Sequence, residues 1–553
     1  MKKLLKSITA AFLAATTLLC VSSCKKNPAD SSTGDKPTTT IKVMISSDEI
    51  SAASEDSAVK AAIEKKFYED TGEKINLQVT VYTNKDFTTA MSTQMTTKNW
   101  DAAVDYIGQA GIETLMFEQN VCLDIADMID EDYPELKTFF GEEAFGAVTD
   151  TLGIVYGIPS LSETKNTGLM IRKDYMEAVG YTTEEGHNDD LGAVNEAAGT
   201  KKKTLVTIAD FQDMMQRMVA QNICKSPLIG MPWDVESMIT VGPFGESNYA
   251  NYARINNEDG SLKEIVPGNL SAAYKESLHY EYYWENTGLW EADSYTKPKT
   301  NRLNDYVNGN GALYVVDPKV TNLIKVSRQV KAHNPSATFT FLNPLKGVDS
   351  SGNATEKSGF HEKQTAADCL AINKSTPNAD MVLKYISWLT SSRENYELAK
   401  YGVKNTHWID AGEGFYTYPA DKAEKYVLDP PYSGIYSLID LDAKWGRIYG
   451  DYTDEEKGWI DLCKNAPRFK SATANMLFLG LDDDTALNRD SAGNSFFNDV
   501  TYAAWTGAAD SYKTFSSAER IYRNTAATYI NFLTDRYKIY AQLRGIKTDA
   551  TKS

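Results

Sequence analysis

The sequence predicts an α/β protein built around a mainly parallel sheet. Two observations predict it: strand-like alternation at residues 41–45, 74–82 and 100–106, and helical spacing in each stretch between them. Ile41, Val43 and Ile45 alternate with Lys42 and Met44, and the strand runs into the polar loop Ser46, Ser47, Asp48 and Glu49. Val59, Ile63 and Phe67 recur every fourth residue as one helix face, and Gly72 stops that helix. Ile75, Leu77, Val79 and Val81 form a second, half-buried strand, and Phe87, Met91 and Met95 share a second helix face. Residues 100–106 close the series as a strand ending in Asp105 and Tyr106. Parallel sheets bind ligands beyond the carboxyl ends of their strands, so the loops after Ile45 and Val104 are candidate site walls. Residues 186–204 read as a polar surface insertion, with Lys201, Lys202 and Lys203 solvated near its end. From Ile265 the pattern is mixed, and the C-terminal region carries helical spacing at Tyr529, Phe532, Leu533 and Tyr537.

At 553 residues the chain suits two domains of roughly 200 to 250 residues each rather than one. Its 57 basic and 75 acidic residues give a formal charge of −18, which repels phosphate backbones and argues against a nucleic-acid partner. Six scattered cysteines contain no CxxC pair, so zinc is not expected, and Cys122, Cys224, Cys369 and Cys463 are expected as buried free thiols. The runs Asn256, Asn257, Glu258, Asp259, Gly260 and Asp482, Asp483, Asp484 lack calcium-loop spacing. They read as a hairpin turn and as a solvated loop or helix cap. GxSxG, HExxH and phosphate-loop motifs are absent, and no cofactor or metal is expected.

The N-terminus has the proportions of a secretory leader. Lys2, Lys3 and Lys6 precede fourteen mostly apolar residues, 8–21, too few for a bilayer core of roughly 20. Val21, Ser22, Ser23 and Cys24 follow, and they resemble the lipobox of bacterial lipoproteins. That resemblance implies cleavage before Cys24, lipidation of its sulfur, and attachment to the outer face of the cell membrane. An ordinary secreted protein cut elsewhere is the alternative. Residues 25–40, rich in Pro, Ser, Thr and Gly, read as a flexible tether.

Seven segments, in order, resemble the extracellular solute-binding proteins of sugar-type ABC importers, most closely the long lipid-anchored members of Gram-positive bacteria. Phe67, Thr71 and Gly72 match an F-x-x-x-T-G element. Trp100, Asp101, Ala102, Ala103 and Val104 stand where the family has a Pro-Asp-Val-Val strand, without its proline. Leu123, Asp124, Ile125 and Ile129, followed by Tyr133 and Pro134, resemble L-x-D-L-T-x-L-I. Gly153, Tyr156, Gly157, Ile158 and Pro159 resemble G-K-x-Y-G-I-P, and Ile171, Arg172, Lys173 and Asp174 resemble I-R-K-D. Ala371, Ile372, Asn373, Lys374 and Ser375 with the helix at 380–391 make the sixth segment; Tyr401, Gly402, Val403, His407 and Trp408 make the seventh.

The resemblance implies two α/β lobes with a hinge between them, as in periplasmic binding proteins. Expected spans are a leader at 1–23, a tether at 24–40, a first lobe from 41–160 and 358–412, and a second from 161–357 and 413–553. Crossings are expected after Pro159, near Gly359 and around Asp410. The implied function is capture of an oligosaccharide by a monomer and its delivery to the permease subunits of an ABC importer, without catalysis.

A saccharide needs carboxylates for its hydroxyls and aromatic platforms for its C–H faces. Asp48 follows the first strand and Asp105 and Tyr106 end the third, so all three are candidates to face the cleft; a helix cap or surface charge is the commoner explanation of any such acid. Ser160, Ser162 and Glu163 fall at the first crossing. Trp233 and Trp408 lie in loops with small or polar neighbours and read as platforms, the alternative being plugs beneath their loops. Trp388 shares a helix face with Val382, Tyr385 and Leu389 and reads as core. Asp317 ends an apolar strand. Competing readings are a secreted glycoside hydrolase, which needs a carboxylate pair at defined separation, and a peptide-binding importer component. A helical glycan-capturing outer-membrane lipoprotein is disfavoured by the strand immediately after the tether.

Overall fold

The computed structural model describes residues 36–48, 50–106, 120–150, 153–192, 201–244, 252–349, 351–356, 358–362, 366, 368–470, 473, 483–543 and 545–549. The expected leader, Cys24 and most of the tether lie outside the described residues.

The first three strands are Thr39–Ser46, Ile75–Tyr82 and Ala102–Tyr106, joined by helices Asp56–Thr71 and Asn84–Thr97. Both helix boundaries have local causes. Gly72 adopts a left-handed φ of 71° that closes the first helix. The Thr83 side chain accepts the Asp86 N–H and opens the second. The five-stranded sheet runs in the order Ile75–Tyr82, Thr39–Ser46, Ala102–Tyr106, Asp368–Ile372, Gly157–Pro159. Thr39–Ser46 is parallel to both neighbours, whereas Asp368–Ile372 is antiparallel to both of its own. Helices cover it, and Ile41, Val43, Phe67, Ala102 and Leu370 are buried in one core with Trp388. The Trp388 indole N–H donates to Asp70 at 2.8 Å.

A four-stranded sheet, in the order Phe339–Leu342, Leu169–Arg172, Leu313–Val315, Leu228–Gly230, forms the centre of a second core. Its last two strands are parallel. The chain first passes between the sheets over residues 160–168. It returns between Phe360, buried in the second core, and Ala366, buried in the first. Past Trp408 the path departs from expectation. Tyr432, Tyr436, Leu438, Ile439 and Leu441 pack in the first core, whereas Trp459, Ile460 and Cys463 pack in the second. The span 413–553 is therefore not packed on the second core alone.

A third core joins the hairpin Tyr252–Asn256 and Leu262–Pro267 to helix Ala272–Thr287 and the helices Asp483–Phe496, Ser511–Thr525 and Ala527–Leu543. The acidic run at 256–260 is the turn of that hairpin, closed by the Asn257 N–H on the Ser261 carbonyl at 2.8 Å. Of the run at 482–484, Asp482 lies outside the described residues, and Asp483 begins a helix. Lys203 pairs with Asp210 at 2.7 Å. Cys122, Cys224, Cys369 and Cys463 are buried and free. Among the described residues no helix is long and apolar enough to cross a membrane.

Candidate functional site

A cavity of about 140 Å³ opens where the first sheet's strands reach their carboxyl ends. Ser46 and Ser47 line it at the end of the first strand, Val104 and Asp105 near the end of the third, Ser160 just past the edge strand Gly157–Pro159, and Asp368 at the amino end of that strand's antiparallel neighbour. Lys400, Ser437 and Asp440 complete its polar lining. Strand register sets this wall: Asp105 stands opposite Cys369 and Tyr106 opposite Asp368. The Ser160 hydroxyl accepts the Asp368 N–H at 3.1 Å, and the Ser160 N–H donates to the Asp368 carbonyl at 2.9 Å.

Electrostatically the wall is acidic. Burial, with the charge of Asp105 beside it, raises the Asp368 carboxyl above the ordinary carboxylate range. Burial pushes Asp440 up to about 6, opposed by Lys400 and by a hydrogen bond from Ser162. Lys400 itself pairs with Asp442 at 3.6 Å.

Beyond the carboxyl ends of the second sheet's parallel strands lies another polar group. Trp233 sits half-buried on the short helix Pro232–Val235, not in an open turn. Its neighbour Asp234 accepts the Asp317 N–H through Oδ2 at 2.9 Å. Asp317 is exposed, with a left-handed φ of 46°, and its carbonyl accepts the Asn322 side chain at 2.9 Å. The first crossing ties the two groups together. It leaves the cavity at Ser160 and ends where the Gly168 N–H donates to the Pro318 carbonyl at 3.0 Å and Asn166 accepts the Val320 N–H at 2.7 Å.

Of the sequence candidates, Asp105 lines the cavity, Ser162 lies on the crossing, and Trp233 and Asp317 lie beyond the ends of the second sheet's parallel strands. Tyr106 is placed by backbone register alone, its side chain lying outside the described residues, as does most of the loop that follows. Glu163 Oε1 accepts the Lys165 N–H at 2.8 Å within the crossing. Two candidates are corrected. Asp48 is exposed, and its Oδ1 accepts the Asn84 N–H at 3.0 Å, so it serves the positive end of helix Asn84–Thr97. Trp408 is 1% exposed. Its indole N–H donates to the Gly402 carbonyl at 2.9 Å, and the Arg447 guanidinium lies 4.9 Å from its ring. No face is left for a ligand.

Asp368, Lys400 and Asp440 were not legible as site residues. They come from segments far from the first three strands and carry no motif. The only sequence hint is Asp368 at the amino end of the apolar run Cys369, Leu370, Ala371, Ile372.

No protein-family model and no curated protein matches the chain. Solved structures do share its fold. The N-glycan transport solute-binding protein NgtS from Streptococcus pneumoniae is 12% identical, with a TM-score of 0.59 over 92% of this chain and 100% of that one. The alginate-binding protein AlgQ2 is 16% identical, with a TM-score of 0.59 over 91% and 99%. An extracellular solute-binding protein from Bifidobacterium longum subsp. infantis is 16% identical, with a TM-score of 0.62 over 91% and 98%. The chain therefore has the two-lobe α/β fold of solute-binding proteins.

Proposed function

We propose that this protein is the extracytoplasmic binding component of an ABC importer, capturing an oligosaccharide by hinge closure and releasing it unchanged. The observation that carries the reading is the crossing at 160–168, which begins in the acidic cavity of one sheet and ends beside Asp317 at the strand ends of the other. Ligand bound between the two groups contacts both only when the lobes close, and contacts made only in the closed form shift the equilibrium toward it. Asp105 and Asp317 accept sugar hydroxyls, Trp233 covers a C–H face, and Ser162 and Glu163 line the crossing. Proteins of the same fold are named for N-glycan transport and alginate binding, which supports a saccharide cargo. Attachment through a lipidated Cys24 would hold the binding body at the outer membrane face, near the permease subunits.

Thermal denaturation against an oligosaccharide panel tests the reading. One member is expected to stabilise the protein by about 2.7 kcal/mol at a hundred times its dissociation constant, and to be recovered intact after long incubation. Steady release of shorter sugars would replace binding with hydrolysis. Anchoring has its own test: Cys24→Ala is expected to move the protein from the membrane fraction to the medium or to leave an unprocessed precursor. A wild-type protein shed in soluble form, with a different N-terminus, would contradict it.

A further inference from the structure

We infer that the site selects neutral or amino-bearing oligosaccharides and rejects those carrying uronate, sulfate or sialate groups, an inference that rests on the saccharide-binding reading above. Three carboxylates, Asp105, Asp368 and Asp440, line one cavity, and the only cation among its described lining residues is Lys400. Asp442, outside that lining, already holds Lys400 at 3.6 Å. Asp368 is the group best placed to meet a ligand. Its main-chain N–H and carbonyl are both committed to Ser160, while its carboxylate has no hydrogen-bond or ion-pair partner among the described residues.

The group beyond the second sheet has the same sign. Asp234 spends Oδ2 on the Asp317 N–H, and the Asp317 carboxylate is exposed beside it. A sugar hydroxyl donates to such oxygens, and an ammonium pairs with them. An anionic substituent meets like charge in a partly buried space, where salt screens poorly. Burial and the charge of Asp105 already hold the Asp368 carboxyl above its ordinary range, so a further negative charge beside it is disfavoured. Discrimination here comes from repulsion of the wrong ligand as much as attraction of the right one.

The test is an array of neutral, amino-bearing, uronate, sulfated and sialylated oligosaccharides probed with the purified protein. Each hit is then titrated beside an analogue of the same length in which one sugar is replaced by its uronate. Neutral or amino-bearing hits are expected, with the uronate analogue at least about tenfold weaker. Asp368→Asn and Asp440→Asn, checked for a native melting transition, are expected to narrow that gap several-fold. If one variant fails to fold, the other reads the same quantity. Hits confined to anionic members, or a gap unchanged in the folded variants, would overturn the inference and leave saccharide binding standing. Silence across the whole array would overturn both.

Discussion

Trp233 and Trp408 look alike in the sequence, each in a loop among small or polar residues, yet only Trp233 keeps a face in solvent. Periodicity reports burial on helices and strands. For a loop residue, burial is decided by what packs around the loop, here Tyr401 and Tyr416 on either side of it in sequence and Arg447 from farther along the chain. Trp408→Ala is expected to cost about 3–5 kcal/mol of stability with affinity unchanged in the folded fraction. Trp233→Ala is expected to weaken ligand binding about 30-fold, with a smaller loss of melting temperature. Calorimetry and ligand titration of both variants separate the two outcomes. Glu281 adds a pH dependence. It is fully buried, accepts the Thr240 hydroxyl at 2.6 Å, and burial raises it from 4.5 to about 7. A carboxyl raised by folding contributes fully below its unfolded value, and that contribution is lost as pH rises through the folded one. Glu281→Gln should therefore match the wild type near pH 4 and exceed it by up to about 3 kcal/mol near pH 9. Parallel urea titrations at the two pH values measure the difference, and a constant offset would contradict the assignment.

Among the elements, the opening strand–helix–strand series was legible because each piece buries a periodic face of its own. The expected strand at 41–45 is Thr39–Ser46, and the expected helix face Val59, Ile63, Phe67 is the buried face of Asp56–Thr71. Gly157 shows a constraint that no periodicity reveals. A Cβ there would stand 2.6 Å from the Leu370 carbonyl oxygen, so the edge strand Gly157–Pro159 lies against Asp368–Ile372 only without a side chain. Gly157→Ala is expected to destabilise by about 1–3 kcal/mol. Gly458, inside helix Asp454–Asn465, has nothing within 4 Å of its ideal Cβ. Gly458→Ala is expected to stabilise by roughly 0.5–1 kcal/mol. Opposite shifts in denaturation midpoint for these two variants check the packing at both positions.

At the scale of the molecule, the two lobes followed from segment order, since strands at 157–159 and 368–372 belong to one sheet while Leu169–Arg172, Leu228–Gly230, Leu313–Val315 and Phe339–Leu342 between them form another. The later path did not. Residues 432–441 return to the first core and supply Ser437 and Asp440 to the cavity, a placement set by contacts across hundreds of residues. Cavity-lining residues brought together this way leave no local spacing in the sequence, which is why Asp105, at the end of a periodic strand, could be singled out as a candidate and Asp440 could not. In the proposed function a saccharide is held between two lobes that close on it. Small-angle X-ray scattering, with and without a saturating concentration of the stabilising oligosaccharide, tests it most directly. A smaller radius of gyration on binding, reversed when the sugar is dialysed away, is expected. An unchanged scattering profile at proven saturation would contradict it.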